Sequence, residues 1–271
     1  MIEFLQITND PQLAALCDTL PAMRLFVDLE RNGKAHRQAG RNTFISEHTM
    51  EDISQMAAAV SKTRLMVRLN PVYDGTAAEV DEAIERGADM LMLPMFRDAG
   101  DLGAFCRQVA GRVPVVALLE NADALQGIDQ WIDTPGLSEV FLGLNDLHLS
   151  LGMSFMFEPL AAGMVDSVAV RVKAAGLRFG FGGMARLDEG LLPGRMVMGE
   201  HLRVGSQAVI LSRAFRAQVD EAGYIAEIKA LRVAEAALSL RTAGEIQKNS
   251  LHVRQLIGDI ATKIRAAATP A

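Results

Sequence analysis

The chain is short of the residues that mark secreted, membrane or nucleic-acid-binding proteins. Of its 271 residues only two are cysteines, Cys17 and Cys106. They make neither a metal-ligand spacing nor a disulfide framework, so a reducing compartment, the cytoplasm, is expected. No apolar run approaches the roughly 20 residues that a membrane helix requires, and no membrane partner is expected. The opening stretch Met1–Asp10 carries Glu3 and Asp10 and lacks the basic start of a secretory signal. Positive charge is in deficit, with 27 Lys and Arg against 33 Asp and Glu and a formal net charge of −6. A general nucleic-acid binder needs a basic face, so that class is set aside. An anionic substrate would then need its own local cations or a metal. No Gly-x-Gly-x-x-Gly follows the first strand-like run, which argues against a dinucleotide fold. No Ser/His/Asp arrangement or phosphate loop is found either.

Aromatics are only 5% of a chain that is 50% hydrophobic. A large core is therefore affordable and must be built from Leu, Val, Ile, Ala and Met. Short apolar runs recur at Leu25–Leu29, Leu65–Leu69, Met90–Met95, Val113–Leu119, Val140–Leu144, Phe179–Phe181 and Ala208–Leu211. Several are apolar throughout, as strands covered on both faces are. Amphipathic stretches such as Ala77–Arg86, Leu102–Val109, Ala122–Ile132 and Leu160–Ala174 lie between them. That is seven strands, with an eighth offered by Ile2–Ile7 or Thr43–Ser46. Repeated strand–helix units at this length fit an α/β fold of the (β/α)8 barrel type. Residues 1–215 are read as the barrel and 216–271 as additional C-terminal helices.

Barrel enzymes build their sites at the C-terminal ends of strands. Asp28 and Glu30 close one run (FVDLE), Arg68 and Asn70 the next (MVRLN), Glu120 a later one (ALLE), and Asp146 the run after that (FLGLND). Carboxylates converging from neighbouring strands repel each other, and a hard cation relieves that repulsion. Mg²⁺, or Mn²⁺ or Co²⁺ in its place, suits one or two carboxylates completed by water and substrate oxygens. Taken singly, Glu120 reads as the neighbour of a helix N-cap and Asp146 as the start of a polar loop.

The segments FVDLE, MVRLNP, ERGADMLMLPMF, ALLENADAL, GLSEVFLGLNDLHLSLGM and VILSRAF together resemble the HpcH/HpaI aldolase and citrate lyase β-subunit superfamily. The resemblance runs from Leu25 to Phe215 and is most specific at VFLGLNDLHLSLG. It implies metal ligation by Glu120 and Asp146, with Arg68 as the cation that stabilises an enolate. Substrate carboxylate would be held by backbone amides around Asn145 and Asp146. The activity implied is a metal-dependent carbon–carbon lyase or aldolase working through a pyruvate-type 2-oxo acid, with an aldehyde or ester as co-substrate. Two alternatives are a Claisen-type enzyme on a CoA ester and a non-catalytic 2-oxo acid binding protein. One departure is that the aldolase branch places Gly-Glu-His after the second strand, where FVDLE is followed here by Arg31.

His48 and His148 are the acid–base candidates, since imidazole titrates near neutrality. His48 reads equally as an exposed first-turn residue and His148 as a loop-packing one. His36, with Lys34 and Arg37, lies in the basic stretch Arg31–Arg41 and could bind an anion. His201 and His252 fall in helical patterns and read as surface or packing residues. The Gly180–Gly183 segment (GFGG) is read as ending a strand, with room for a close backbone approach to ligand. Arg186 beyond it could meet an anion or cover a helix end, and Ser212 with Arg213 could contribute to an anion site. After Phe215, two apolar stripes (Ile225, Ile228, Leu231; then Val253, Leu256, Ile257, Ile260, Ile264) exceed what one barrel helix buries. A homo-oligomer is expected from them.

Overall fold

The order of strands settles the architecture. A computed structural model describes residues 1–33, 46–216 and 219–268. Its eight parallel strands are β1 (Glu3–Ile7), β2 (Met23–Asp28), β3 (Arg64–Arg68), β4 (Met90–Leu93), β5 (Val115–Leu119), β6 (Leu137–Leu142), β7 (Arg178–Met184) and β8 (Ala208–Leu211). They close in sequence order into a barrel, so the fold is a (β/α)8 barrel with additional C-terminal helices. The eighth strand is the N-terminal one. Of the other segment considered for it, Thr43–Ile45 lies outside the described residues.

The helices are α1 (Pro11–Asp18), α2 (Met50–Ala59), α3 (Thr76–Glu85), α4 (Ala99–Val109), α5 (Ala122–Gln126), α6 (Ile128–Trp131), α7 (Leu144–Ser150), α8 (Glu158–Ala161), α9 (Met164–Ala174), α10 (Gly194–Val204), α11 (Arg213–Arg216), α12 (Glu221–Ser239) and α13 (Ala243–Ala268). Among the described residues no helix is long and apolar enough to cross a membrane. Contacts divide the chain into two compact units, one of residues 3–141 and one of residues 1–2 with 142–271.

In the first unit, β2, β4 and β5 are buried at every position. Helices cover one face and the barrel interior the other, which is why these strands read as unbroken apolar runs. α4 shows the local logic. Asp98 caps it by accepting from the N–H groups of Gly100 and Asp101, and Leu102, Phe105, Cys106 and Val109 form its buried stripe. β2 buries two charges against this pattern, Asp28 at its end and Arg24 inside it. Arg24, second residue of β2 and 0% exposed, donates to both oxygens of Glu139 at 2.9 Å and to Glu3.

In the second unit, β7 and β8 pair with a register irregularity between Gly180 and Gly183. The Gly180–Gly183 segment is therefore inside β7, not at its end as the sequence suggested. α12 and α13 both pack on α10, and α13 also on α8. Ile228, Leu231, Val253, Ile257 and Ile260 are buried within the chain itself. Most of the apolar surface that motivated an oligomer is thus used internally, while Val233, Leu240 and Leu251 stay exposed. The backbone of Ile2 is clipped to α12, its N–H donating to Glu235 (2.6 Å) and its carbonyl accepting from Arg232 (2.7 Å).

Candidate active site

The strand pairing of the first unit brings its polar strand ends together. β2 and β3 run in a register that places Asp28 beside Arg68, the last residue of each. Arg68 Nε and Nη2 donate to the two Asp28 oxygens, both at 2.8 Å. This forked, charge-assisted pair fixes the guanidinium plane. Nη2 also lies 3.4 Å from Glu30, and the guanidinium carbon sits 5.5 Å from the centre of the Phe26 ring. Burial by itself would lower the Arg68 pKa, but the charges of Asp28, Glu30 and Glu120 more than reverse that and raise it. Arg68 is a permanent, immobilised cation.

Glu120 follows β5 directly and is 3% exposed. Its Oε1 accepts from the Met95 N–H at 3.0 Å. Met95 has a φ of 54°, a left-handed conformation that costs a bulky residue about 1–3 kcal/mol. The next residue, Asn121, donates to the Phe96 carbonyl at 2.5 Å. The turn after β4 is therefore tied to the end of β5 at two points.

His48 is buried, which overturns its reading as an exposed first-turn residue. Its Nδ1 accepts from the Asp28 backbone N–H at 3.1 Å, so the neutral ring carries its proton on Nε2. It precedes Thr49, which caps α2. Arg31 reaches the same spot, its Nη2 donating to the carbonyls of His48 (3.0 Å) and Glu47 (3.4 Å). Asn70 holds Arg31 in turn, its Oδ1 accepting from the N–H groups of Arg31 and Asn32, both at 2.9 Å. Glu79 on α3 accepts from Asn70 Nδ2 (2.5 Å) and from its backbone N–H (3.2 Å). Burial raises the Glu79 pKa, and the Asn70 hydrogen bonds oppose that only in part. Nothing in the helical pattern distinguishes Glu79, one acid of four in that stretch. The anion-binding role suggested for Lys34, His36 and Arg37 lies outside the described residues.

The second unit corrects the placement of Asp146. Its strand ends at Leu142, and Asp146 lies in the first turn of α7, half-buried beside an exposed Asn145. First-turn amides have no acceptor inside their own helix. His148 is buried, with Nδ1 3.0 Å from the Leu144 carbonyl. A carbonyl only accepts, so Nδ1 carries a proton, and in the neutral ring Nε2 keeps its lone pair. In their neutral forms the two imidazoles have opposite polarity at Nε2, His48 a donor and His148 an acceptor.

The remaining candidates resolve to structural positions or stay open. Gly182 (φ 59°) leaves its missing side chain's place to Leu144, whose Cδ1 would lie 3.1 Å from a Cβ there. Arg186 donates to the Phe215 carbonyl (3.1 Å) and to Glu189 (3.0 Å). His201 is fully buried and stacked on Phe181 at 3.8 Å between centroids, and burial pushes its pKa down to about 3. His252 is exposed. Ser212 Oγ, at the end of β8, is buried without a hydrogen-bond partner among the described residues.

No group of three or more His, Cys, Asp or Glu suited to a metal occurs among the described residues. A hard cation that keeps most of its shell for water and substrate oxygens needs only one or two carboxylates. Asp28, Glu30 and Glu120 all act on the single guanidinium of Arg68, so negative charge is in excess at these strand ends.

Comparison with known proteins supports the same family. The sequence pattern of the HpcH/HpaI aldolase/citrate lyase family matches residues 4–158. A hydroxypyruvate/pyruvate aldolase of Rhizorhabdus wittichii is 33% identical over 90 residues, which is 31% of this chain and only 36% of that protein. An HpcH/HpaI aldolase structure from Desulfitobacterium hafniense superposes with a TM-score of 0.60 at 15% identity, covering 89% of this chain and 94% of that one. The citrate synthase SbnG gives 0.58 at 15% identity, covering 87% and 93%.

Proposed function

The chain belongs to the HpcH/HpaI aldolase/citrate lyase family, and from that premise we propose that it makes or breaks a carbon–carbon bond through the enolate of a pyruvate-type 2-oxo acid. The observation that carries this reading is Arg68, a cation locked by Asp28 at a strand end with further carboxylates around it. Enolate formation moves negative charge onto the keto oxygen, and a preorganised cation favours that state over the ketone. The local relative named as a hydroxypyruvate/pyruvate aldolase points to the same substrate class.

Glu120 is the proposed ligand of a divalent ion, on its burial and the local excess of carboxylates. Asp146 is proposed as a ligand on the sequence resemblance alone, and so is substrate binding by the amides around Asn145 and Asp146. A bound Mg²⁺, Mn²⁺ or Co²⁺ would polarise the keto group as a Lewis acid. Arg68 faces the developing oxyanion. A neutral His148 presents a lone pair able to take a methyl proton and, once charged, to return it to the alkoxide of the partner carbonyl, and a neutral His48 presents an N–H able to hydrogen-bond that alkoxide. Asp28 keeps the guanidinium from turning. The co-substrate is an aldehyde or an ester, and the aldolase name of the local relative favours the aldehyde.

Proton NMR in heavy water tests this before any co-substrate is chosen. The methyl protons of pyruvate should exchange with solvent when metal is present, stop exchanging on chelation, and exchange at least 100-fold more slowly in Arg68→Ala, about 2.7 kcal/mol. Exchange that survives exhaustive chelation would remove the metal from the reaction. Bound pyruvate with no exchange under any metal would sink the enolate reading and favour a CoA-ester enzyme or a binding protein.

A further inference from the structure

We propose that Asn70 is a positioning residue for the His48 imidazole, and that Glu79 sets which way its amide faces. The proposal rests on the reaction proposed above and extends it to residues that touch no reacting atom. An Asn amide can be turned over with little change in shape, exchanging its oxygen and nitrogen. Glu79 removes that freedom. Its two oxygens accept from the Asn70 side-chain NH₂ and backbone N–H, and a carboxylate cannot donate in return. The amide oxygen must then face the other way, where it accepts from Arg31 and Asn32.

The rest of the chain of contacts follows from that orientation. With its backbone held, Arg31 spans to the carbonyls of Glu47 and His48. His48 Nδ1 then meets the Asp28 N–H, and Asp28 grips Arg68. The contacts link the end of β3, the start of α3, the residues after β2 and those before α2. Their sequence separations run from 9 to 40 residues, so none is set by local chain geometry. A buried carboxylate is a costly way to hold an exposed turn. It is an effective way to fix one amide's polarity, and through Arg31 the place of His48 against the Asp28 N–H that sets its tautomer.

Four full-length variants test this: Asn70→Ala, Asn70→Asp, Glu79→Gln and the double Asn70→Asp/Glu79→Gln. The double variant exchanges acid and amide. A carboxylate at position 70 still accepts from Arg31 and Asn32, and an amide at position 79 donates to it and accepts from the backbone N–H. Every hydrogen bond is kept, with one reversed. Long-range ¹⁵N–¹H spectra of the histidines, with His48→Gln to assign the signal, report the tautomer directly. His48 should be the Nε2–H form in the parent and the double variant, and a mixture in the three single variants. Addition of pyruvate to glycolaldehyde at saturating substrates should fall roughly 10- to 100-fold in the single variants, the scale of a small misplacement, with KM changed less than twofold and recovery in the double, while pyruvate methyl exchange, which does not use His48, changes little.

Single variants that keep the parent tautomer and addition rate would overturn the proposal. So would loss of rate that follows melting temperature alone, without recovery in the double. If the parent protein catalyses no exchange but the tautomer responds as described, the reaction proposed above fails while the positioning role stands.

Discussion

Arg24 is a charge that the barrel cannot hydrate. Its side chain is 0% exposed and that of Glu139 is 1% exposed, and the two are joined by a pair of parallel 2.9 Å hydrogen bonds. Glu3, 15% exposed, takes the remaining contact and has Arg64 at 3.5 Å as a second partner. Replacing Arg24 by Met keeps a long side chain and leaves Glu139 as a buried carboxylate without its cation. Breaking a buried pair from one side costs about 3–5 kcal/mol, a factor of 10² to 10⁴ in the folding equilibrium. That is a fifth or more of the stability of an ordinary domain, about 5–15 kcal/mol. Glu139→Leu costs less, because Arg24 retains Glu3. The double variant Arg24→Met/Glu139→Leu removes both charges and should be more stable than Arg24→Met alone, with a coupling of about 1–3 kcal/mol. Urea unfolding followed by circular dichroism measures all four corners of the cycle. A loss below about 1 kcal/mol for Arg24→Met, the size of an exposed pair, would refute the claim that this network is dry. Additive single effects would refute the pairing.

Two further predictions concern charge and metal. His201 titrates well below its ordinary value, so the folded state binds fewer protons than the unfolded one between pH 6.5 and about 3. Its contribution is therefore present above pH 6.5 and is lost as pH falls through that window, at up to about 1.4 kcal/mol per pH unit. His201→Phe should flatten that part of the stability profile, and parallel profiles for parent and variant would reject the assignment. Calorimetric titration with Mn²⁺ should show at least tenfold weaker binding in Glu120→Gln and in Asp146→Asn with the fold intact. Unchanged affinity in either variant would remove that residue from the proposed ligand set.

What could be read in advance divides along sequence distance. Strands of a parallel barrel are covered on both faces, so their runs are visibly apolar, and each run's end locates the residue that follows it. That is why Asp28, Arg68 and Glu120 could be placed before any coordinates. Asp146 was misplaced because Gly143 stops the strand early and the next turn is helical, a boundary that an apolar run continuing to Leu144 conceals. The Gly180–Gly183 segment was misread because an irregular register with β8 carries the strand through its glycines. Arg24 was passed over by starting its run at Leu25, although a lone charge inside a buried strand demands a partner. That partner, Glu139, lies 115 residues away. Glu79 was hidden among Asp81, Glu82 and Glu85 on one helix, and only the fold shows which of them turns inward.

The departure at Arg31 gains meaning from the same contacts. Where the resembling aldolases carry a histidine shortly after the second strand, this chain has a guanidinium, which does not give up its proton near neutral pH. Arg31 therefore cannot be the acid–base group. Its side chain instead holds the carbonyl of His48, whose ring accepts from the backbone of Asp28. On the proposed reading, the imidazole has moved from the residues after β2 to those before α2, and the position it left now helps to hold it. Such a transfer requires that His48 keep one tautomer, because only Nε2–H offers a hydrogen bond while Nδ1 remains engaged. It also requires that Arg31 not swing into solvent, as an unrestrained arginine beside a polar turn would. Asn70 and Glu79 meet the second requirement, and the Asp28 N–H meets the first. Arg31→His alone should then not recreate the aldolase arrangement, since it removes the donor to His48 without supplying a fixed partner for the new ring.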